Sequence, residues 1–195
     1  RKGCDKAVDE CRRLILLTRE EEKQLNQEID IAIAHTPHIG NFGQIDLLRK
    51  GIAAHHAGLL PQVKSLIEEL FTRALVKVVF STETLAAGIN MPARSTVINS
   101  ISKASDRGFR SLTASEFLQM SGRAGRRGMD EAGYVITVKN GNYSAGEVAL
   151  LASSKPEDVI SHFDASYEMV LNLLQGHSYA EVRTLIDKSF GQSML

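Results

Sequence analysis

The sequence has no excess charge of either sign: lysine and arginine together number 23, and so do aspartate and glutamate. Bulk charge therefore points to no partner, and any polyanion must be met by a local cluster of cations. No apolar run approaches the roughly 18 residues of a membrane-spanning helix, and no charged-then-apolar leader opens the chain, so neither membrane insertion nor secretion is expected. Cysteine is scarce. Cys4 and Cys11 fit no metal-ligand spacing and read as core thiols in a reducing compartment, on a helical face shared with Ala7, Val8, Leu14 and Ile15. The sequence also lacks a Gly-x-x-x-x-Gly-Lys-Ser/Thr loop and a dinucleotide-binding glycine fingerprint, so the main cradle of any nucleotide lies elsewhere. Internal repeats and low-complexity tracts are missing too.

What is present suits one good core, or one domain with an appendage: 195 residues, 43% of them hydrophobic. A helix is expected over residues 4–17, and in an α/β domain it would follow a strand upstream of Arg1. Thr18 and Glu21 have capping-box spacing and open a second helix, with Leu25, Ile29, Ala32 and Ile33 on its apolar face and Pro37 at its end. Residues 37–43 read as a loop and 45–50 as a short helix. A buried strand over 52–55 leads to a helix begun by Pro61, whose Val63, Leu66, Ile67, Leu70, Phe71 and Ala74 share one face. Further strands are expected at 76–80, 95–101 and 134–138. Past residue 144 the strand signals stop. Helices are then expected at 147–152, along Tyr167, Val170, Leu171 and Leu174, and after a Ser178/Glu181 cap with Val182, Leu185 and Ile186 facing inward.

Three stretches carry candidate chemistry. Gln119-Met120-Ser121-Gly122-Arg123-Ala124-Gly125-Arg126-Arg127-Gly128 follows a Thr113/Glu116 capping box, so a helix should begin near Ala114. On a continuous helix Gln119, Arg123 and Arg126 fall at i, i+4 and i+7 and share a face, while Phe117, Met120 and Ala124 pack inward. Two aimed guanidiniums suit a polyphosphate, and Gly122 permits close approach of a ligand to the backbone. His55-His56-Ala57-Gly58-Leu59 ends the first strand. Adjacent histidines on a strand cannot share an ion and no third ligand is suitably spaced, so no metal site is expected. Ser81-Thr82-Glu83-Thr84-Leu85-Ala86-Ala87-Gly88-Ile89-Asn90 follows the second strand, where parallel α/β sheets bind ligands. Thr82 and Thr84 are placed to donate to phosphates, Gly88 allows a tight loop and Asn90 offers an amide. Asp130-Glu131-Ala132-Gly133 resembles an acidic magnesium box in spelling only. It precedes a strand instead of following one, and reads as a turn.

These three runs, in this order, closely resemble signature motifs of superfamily-two helicases, specifically the second RecA-like domain of the Ski-like DExH-box branch. The resemblance implies an α/β fold: a RecA-like parallel sheet flanked by helices, the P-loop NTPase-type second lobe. It would span residues 1–143, its N-terminal strand lying upstream. Residues 144–195 would be a short helical extension leading toward a winged-helix region. The implied activity is ATP-driven translocation on single-stranded RNA, with DNA as the alternative substrate. The first RecA-like lobe of the same polypeptide would hold ATP and Mg²⁺. Arg123 and Arg126 would reach across as arginine fingers, Gln119 would position the γ-phosphate or attacking water, and Gly88, Asn90 and Gly122 would lie near the nucleotide. His55, His56, Gly58, Thr82 and Thr84 would meet the nucleic acid. Related helicases carry a β-hairpin wedge between the last two motifs, and the insert at 102–112, with Arg107, Phe109 and Arg110, has that place although its strand character is weak. The fragment by itself is expected to be inactive. A catalytically dead, nucleic-acid-binding scaffold is the alternative from another class. The implied compartment is the cytoplasm, or the plastid stroma in a plant.

Overall fold

In the computed structural model, which describes residues 1–82, 91–105, 108–139, 143–158, 161, 163 and 165–189, the chain divides into two compact units, Arg1–Lys155 and Pro156–Leu195. The first is built around β1 (Ile52–His55), all four residues of which are buried. Successive side chains of a strand point to opposite faces, and here both faces are covered. Ala53 joins a cluster with Leu25 and Ile29 of α2 (Arg19–His35), Leu48 of α3 (Ile45–Leu48) and Val63, Leu66, Ile67 and Leu70 of α4 (Pro61–Thr72). Ile52 and Ala54 face the other way, onto Leu47 and Val8 of α1 (Lys2–Glu10), with Cys4, Cys11 and Phe80 alongside. Burial of each such Leu or Ile contributes about 1.5–3 kcal/mol, and α4 places four buried side chains in this cluster.

β1 pairs in parallel with β2 (Val78–Ser81), with His55 opposite Ser81. A second parallel pair joins β3 (Ser95–Ile98) to β6 (Tyr134–Thr137). The expected parallel α/β arrangement is thus present as two parallel pairs flanked by helices. Between β3 and β6 lie an antiparallel hairpin, β4 (Ser102–Ser105) with β5 (Gly108–Ser111), and helix α5 (Ala114–Ser121). The hairpin corrects the weak strand character of the insert: its backbone groups pair with each other, and Leu112 N–H continues the ladder to the Ile101 carbonyl at 2.8 Å. Ile98, Ile101, Leu112 and Phe117 form a third cluster beneath the hairpin root, with Val148 and Leu151 of α6 (Ala145–Ser153) against it.

The capping boxes at Thr18/Glu21, Thr113/Glu116 and Ser178/Glu181 all form. One helix here ends earlier than expected. α1 stops at Glu10, so Leu14 and Ile15 leave the face of Cys4 and Cys11 and are exposed. Both thiols are unbonded, and burial pushes the Cys4 thiol up. Residues 37–41 form a 3₁₀ turn, Pro37–Asn41, in place of a loop. In the second unit α7 (Tyr167–Leu174) and α8 (Tyr179–Asp187) contact each other. Within that unit two short helices bury only Val182 among the described residues, and the expected inward Leu185 is half exposed. Among the described residues no helix is long and apolar enough to cross a membrane.

Candidate functional site

The arginine segment is held by backbone contacts outside the helix that introduces it. α5 ends at Ser121, and Gly122 closes it with its N–H on the Leu118 carbonyl at 2.8 Å. A Cβ at Gly122 would lie 2.9 Å from that carbonyl oxygen, so the turn tolerates no side chain there. Arg123 and Arg126 therefore stand on a loop, and the expected helical face shared with Gln119 does not exist. The reason is a competing set of hydrogen bonds. Ala93 N–H donates to the Arg123 carbonyl at 2.8 Å, and Gly125 N–H donates to the Ala93 carbonyl at 2.7 Å, which makes a parallel bridge between Ala93 and Ala124. Gly125 takes φ +91, a region costly to L-residues, and a Cβ on Gly133 would come within 2.5 Å of the Ala124 and Gly125 backbone. The loop is thus clamped between residues 92–94 and the entry to β6. Tyr134 N–H donates to the Arg94 carbonyl at 3.0 Å, and the Arg94 guanidinium sits 6.0 Å from the Tyr134 ring centre.

Arg126 is aimed by Asp130. Its Nε and Nη2 donate to the two carboxylate oxygens at 2.8 Å each, and its backbone N–H donates at 3.0 Å. The Asp130 side chain is 7% exposed and Arg126 28%, so the pair is largely sheltered. The Arg126 guanidinium, and after it the backbone N–H, pulls the Asp130 carboxyl down to about 2 against an opposing desolvation, while the carboxylate raises Arg126. Nη1 of Arg126 has no partner among the described residues and is available to an anion. Arg123 is half-buried and engaged in an interaction of its own, whereas Gln119 and Arg127 are exposed. Asp130 follows the turn at 127–129 and precedes β6, and its hold on Arg126 was missed. The Arg-x-x-x-Asp spacing was the available signal.

The carboxyl ends of β1 and β2 bring together His55, His56, Gly58 and Thr82. Both histidine side chains are buried, at 4% and 6% exposed. His55 Nε2 donates to Glu68 of α4 at 2.7 Å; its Nδ1 is buried without a partner. His56 Nδ1 accepts the Gly58 N–H at 3.1 Å, which leaves Nε2 to donate to Asp5 of α1 at 3.0 Å. Each ring thus ties the strand end to a flanking helix. Thr82 N–H donates to the His55 carbonyl at 3.4 Å. Thr84, Gly88, Asn90 and Arg107 lie outside the described residues. Phe109 is 85% exposed on the hairpin, while Arg110 makes a two-point pair with Glu116 at 2.6 and 2.8 Å. Among the described residues no three His, Cys, Asp or Glu side chains gather as a metal site.

Comparison with known proteins agrees with this layout. The family described as helicase conserved C-terminal domain matches residues 11–128. The chain is 43% identical to the DExH-box ATP-dependent RNA helicase DExH15, chloroplastic, of Arabidopsis thaliana, over 98% of this chain and 18% of that protein. It is 41% identical to the probable helicase HelY of Mycobacterium tuberculosis, over 98% of this chain and 22% of that protein. It is 36% identical to human Superkiller complex protein 2, over 97% of this chain and 16% of that protein. The chain therefore spans about a fifth of the length of these relatives. With its parallel strand pairs, its clamped arginine loop and these likenesses, the chain belongs to the helicase conserved C-terminal domain family, as a second RecA-like domain of the Ski-like DExH-box branch.

Proposed function

We propose that the chain is the second motor lobe of an ATP-dependent RNA helicase, contributing arginine fingers to ATP bound by the first lobe and gripping single-stranded RNA at the strand ends. The observation that carries this reading is the clamped loop, in which Asp130 orients Arg126 and leaves Nη1 facing outward from the pair. An anion-binding arginine works best when its fork is pre-organised, because little entropy is then lost on contact. The residues present fit the outer end of a polyphosphate: two cationic side chains on one loop beside glycine backbone. When bound, ATP supplies the phosphoryl group whose transfer drives the motor. Arg126, with Nη1 left over from its pair with Asp130, and Arg123 on the same loop would offer positive charge to the outer phosphates, and the exposed Gln119 on α5 would orient water. Gly122 would let the nucleotide come close, and the resemblance adds Gly88 and Asn90, which lie outside the described residues, to the nucleotide-binding set.

Nucleic acid is assigned to the carboxyl edge of β1–β2, through the backbone at His55, His56 and Gly58 and the hydroxyl of Thr82, and to Phe109 on the hairpin; Thr84 and Arg107, outside the described residues, are assigned to it from the sequence motifs by themselves. Names of relatives that contain RNA helicase favour RNA over DNA. The test is steady-state ATPase and duplex unwinding by the full-length protein on matched RNA and DNA substrates, beside the isolated chain. RNA-stimulated turnover in the full protein and none in the chain is expected. Turnover by the isolated chain overturns the two-lobe assignment, and preference for DNA overturns the substrate.

A further inference from the structure

The carboxylate of Glu116 is the meeting point of three elements. Its Oε1 receives Lys103 Nζ of β4 and Arg110 Nη2 of β5, each at 2.6 Å. Its Oε2 receives Arg110 Nη1 at 2.8 Å and the Thr113 backbone N–H at 2.9 Å. A carboxylate offers about four acceptor sites, so Glu116 is filled. The Arg110 guanidinium, with Lys103 and the Thr113 N–H behind it, pulls the Glu116 carboxyl down to about 2 against desolvation.

Lys103 and Arg110 are direct partners across the β4–β5 ladder. Like charges set opposite each other destabilise a strand pair, and a carboxylate received between them converts the repulsion into a clamp. Below the clamp the hairpin root rests on Ile101, Leu112 and Phe117. Above it Phe109 stands 85% exposed. α5, whose first turn Glu116 also caps, runs directly through Gly122 into the arginine loop.

We infer that Glu116 is a positioning residue that fastens the β4–β5 hairpin to the helix bearing the arginine loop, so that Lys103 and Arg110 serve the internal geometry of the lobe and not the nucleic acid. The hairpin and the arginines then move as one piece. The group the hairpin presents to a base is Phe109. This rests on the helicase reading above only where it speaks of unwinding.

The experiment uses Glu116→Gln in the full-length protein, because Gln at the third helical position preserves the capping box while removing the charge. Unwinding of a duplex with a single-stranded overhang should fall about tenfold, with RNA-stimulated kcat for ATP held within about twofold, as befits loss of a charged clamp remote from the phosphates. Lys103→Met with Arg110→Met should reproduce that loss, and adding Glu116→Gln to them should change nothing further. Equal losses in unwinding and ATPase, additive losses, or unchanged unwinding each overturn the inference. Amide exchange gives a readout that does not depend on helicase activity: Glu116→Gln should speed exchange along β4 and β5 by about tenfold and leave the rest of α5 protected. Unchanged hairpin exchange overturns the inference even if the protein unwinds nothing, whereas faster exchange in a protein without unwinding sinks the helicase reading and leaves the clamp standing.

Discussion

Asp130 accepts three hydrogen bonds from Arg126, two from the guanidinium and one from the backbone N–H, and so closes residues 126–130 into a loop around one ion pair. The cation remains charged, its direction is set, and one nitrogen is left over. An arginine that must meet a phosphoryl group across a cleft needs that combination.

The first prediction concerns the arginines themselves. In the two-lobed protein with saturating RNA, Arg123→Ala and Arg126→Ala should each lower kcat by about 10³-fold, close to 4 kcal/mol, with far smaller change in nucleotide affinity. Arg→Lys should rescue only in part, since a point charge lacks the planar fork. Arg127 is exposed, and Arg127→Ala should keep most activity. Equal damage at all three positions, or silence at all three in an active enzyme, contradicts the assignment.

If Asp130 acts by aiming Arg126, Asp130→Ala should lower kcat by about 10–100-fold while KM for ATP shifts little, the pattern of a contact made chiefly in the transition state. In an Arg126→Ala background the same change should cost nearly nothing more. Additive losses in this double-mutant cycle would assign Asp130 a separate role.

Acid should loosen both clamps. Asp130 and Glu116 are depressed to about 2 from ordinary values near 4 to 4.5, so their folded forms favour the ionised state. Their contribution to stability is complete above the unfolded values and is lost as pH falls from about 4.5 toward about 2. Urea unfolding of the chain across this range should show Glu116→Gln losing less stability on acidification than the parent. Parallel curves would mean that the ion pairs contribute nothing net.

Gly133 is the most crowded of the described glycines. Gly133→Ala must displace the Ala124–Gly125 backbone, and should destabilise the chain by about 3 kcal/mol, at the upper end of overpacking costs. Gly128 has φ +75 and open space around it, so Gly128→Ala should cost only about 1 kcal/mol of backbone strain. Thermal unfolding of the two variants compares them directly. A larger loss at Gly128 than at Gly133 would refute the crossing of the two backbones as the constraint.

Local interactions were legible from the sequence because their partners lie within one turn of chain. The Thr18/Glu21, Thr113/Glu116 and Ser178/Glu181 boxes, the Pro61 start of α4 and the buried strand Ile52–His55 all sit where spacing put them. The family was legible for a related reason: its signature runs are short and contiguous. Tertiary structure decided where α5 ends. Gly122 and Gly125 weaken the helix locally, but it is Ala93, some thirty residues earlier in the chain, that takes the Arg123 carbonyl and the Gly125 N–H and fixes the loop. The same holds for His55 and His56, whose partners Glu68 and Asp5 are supplied by flanking helices. It holds too for Arg110, whose pairing with Glu116, shared with Lys103, depends on the register of β4 and β5. Hydrogen-bond capacity is written in each residue, but the choice among distant partners is made only when the chain has packed.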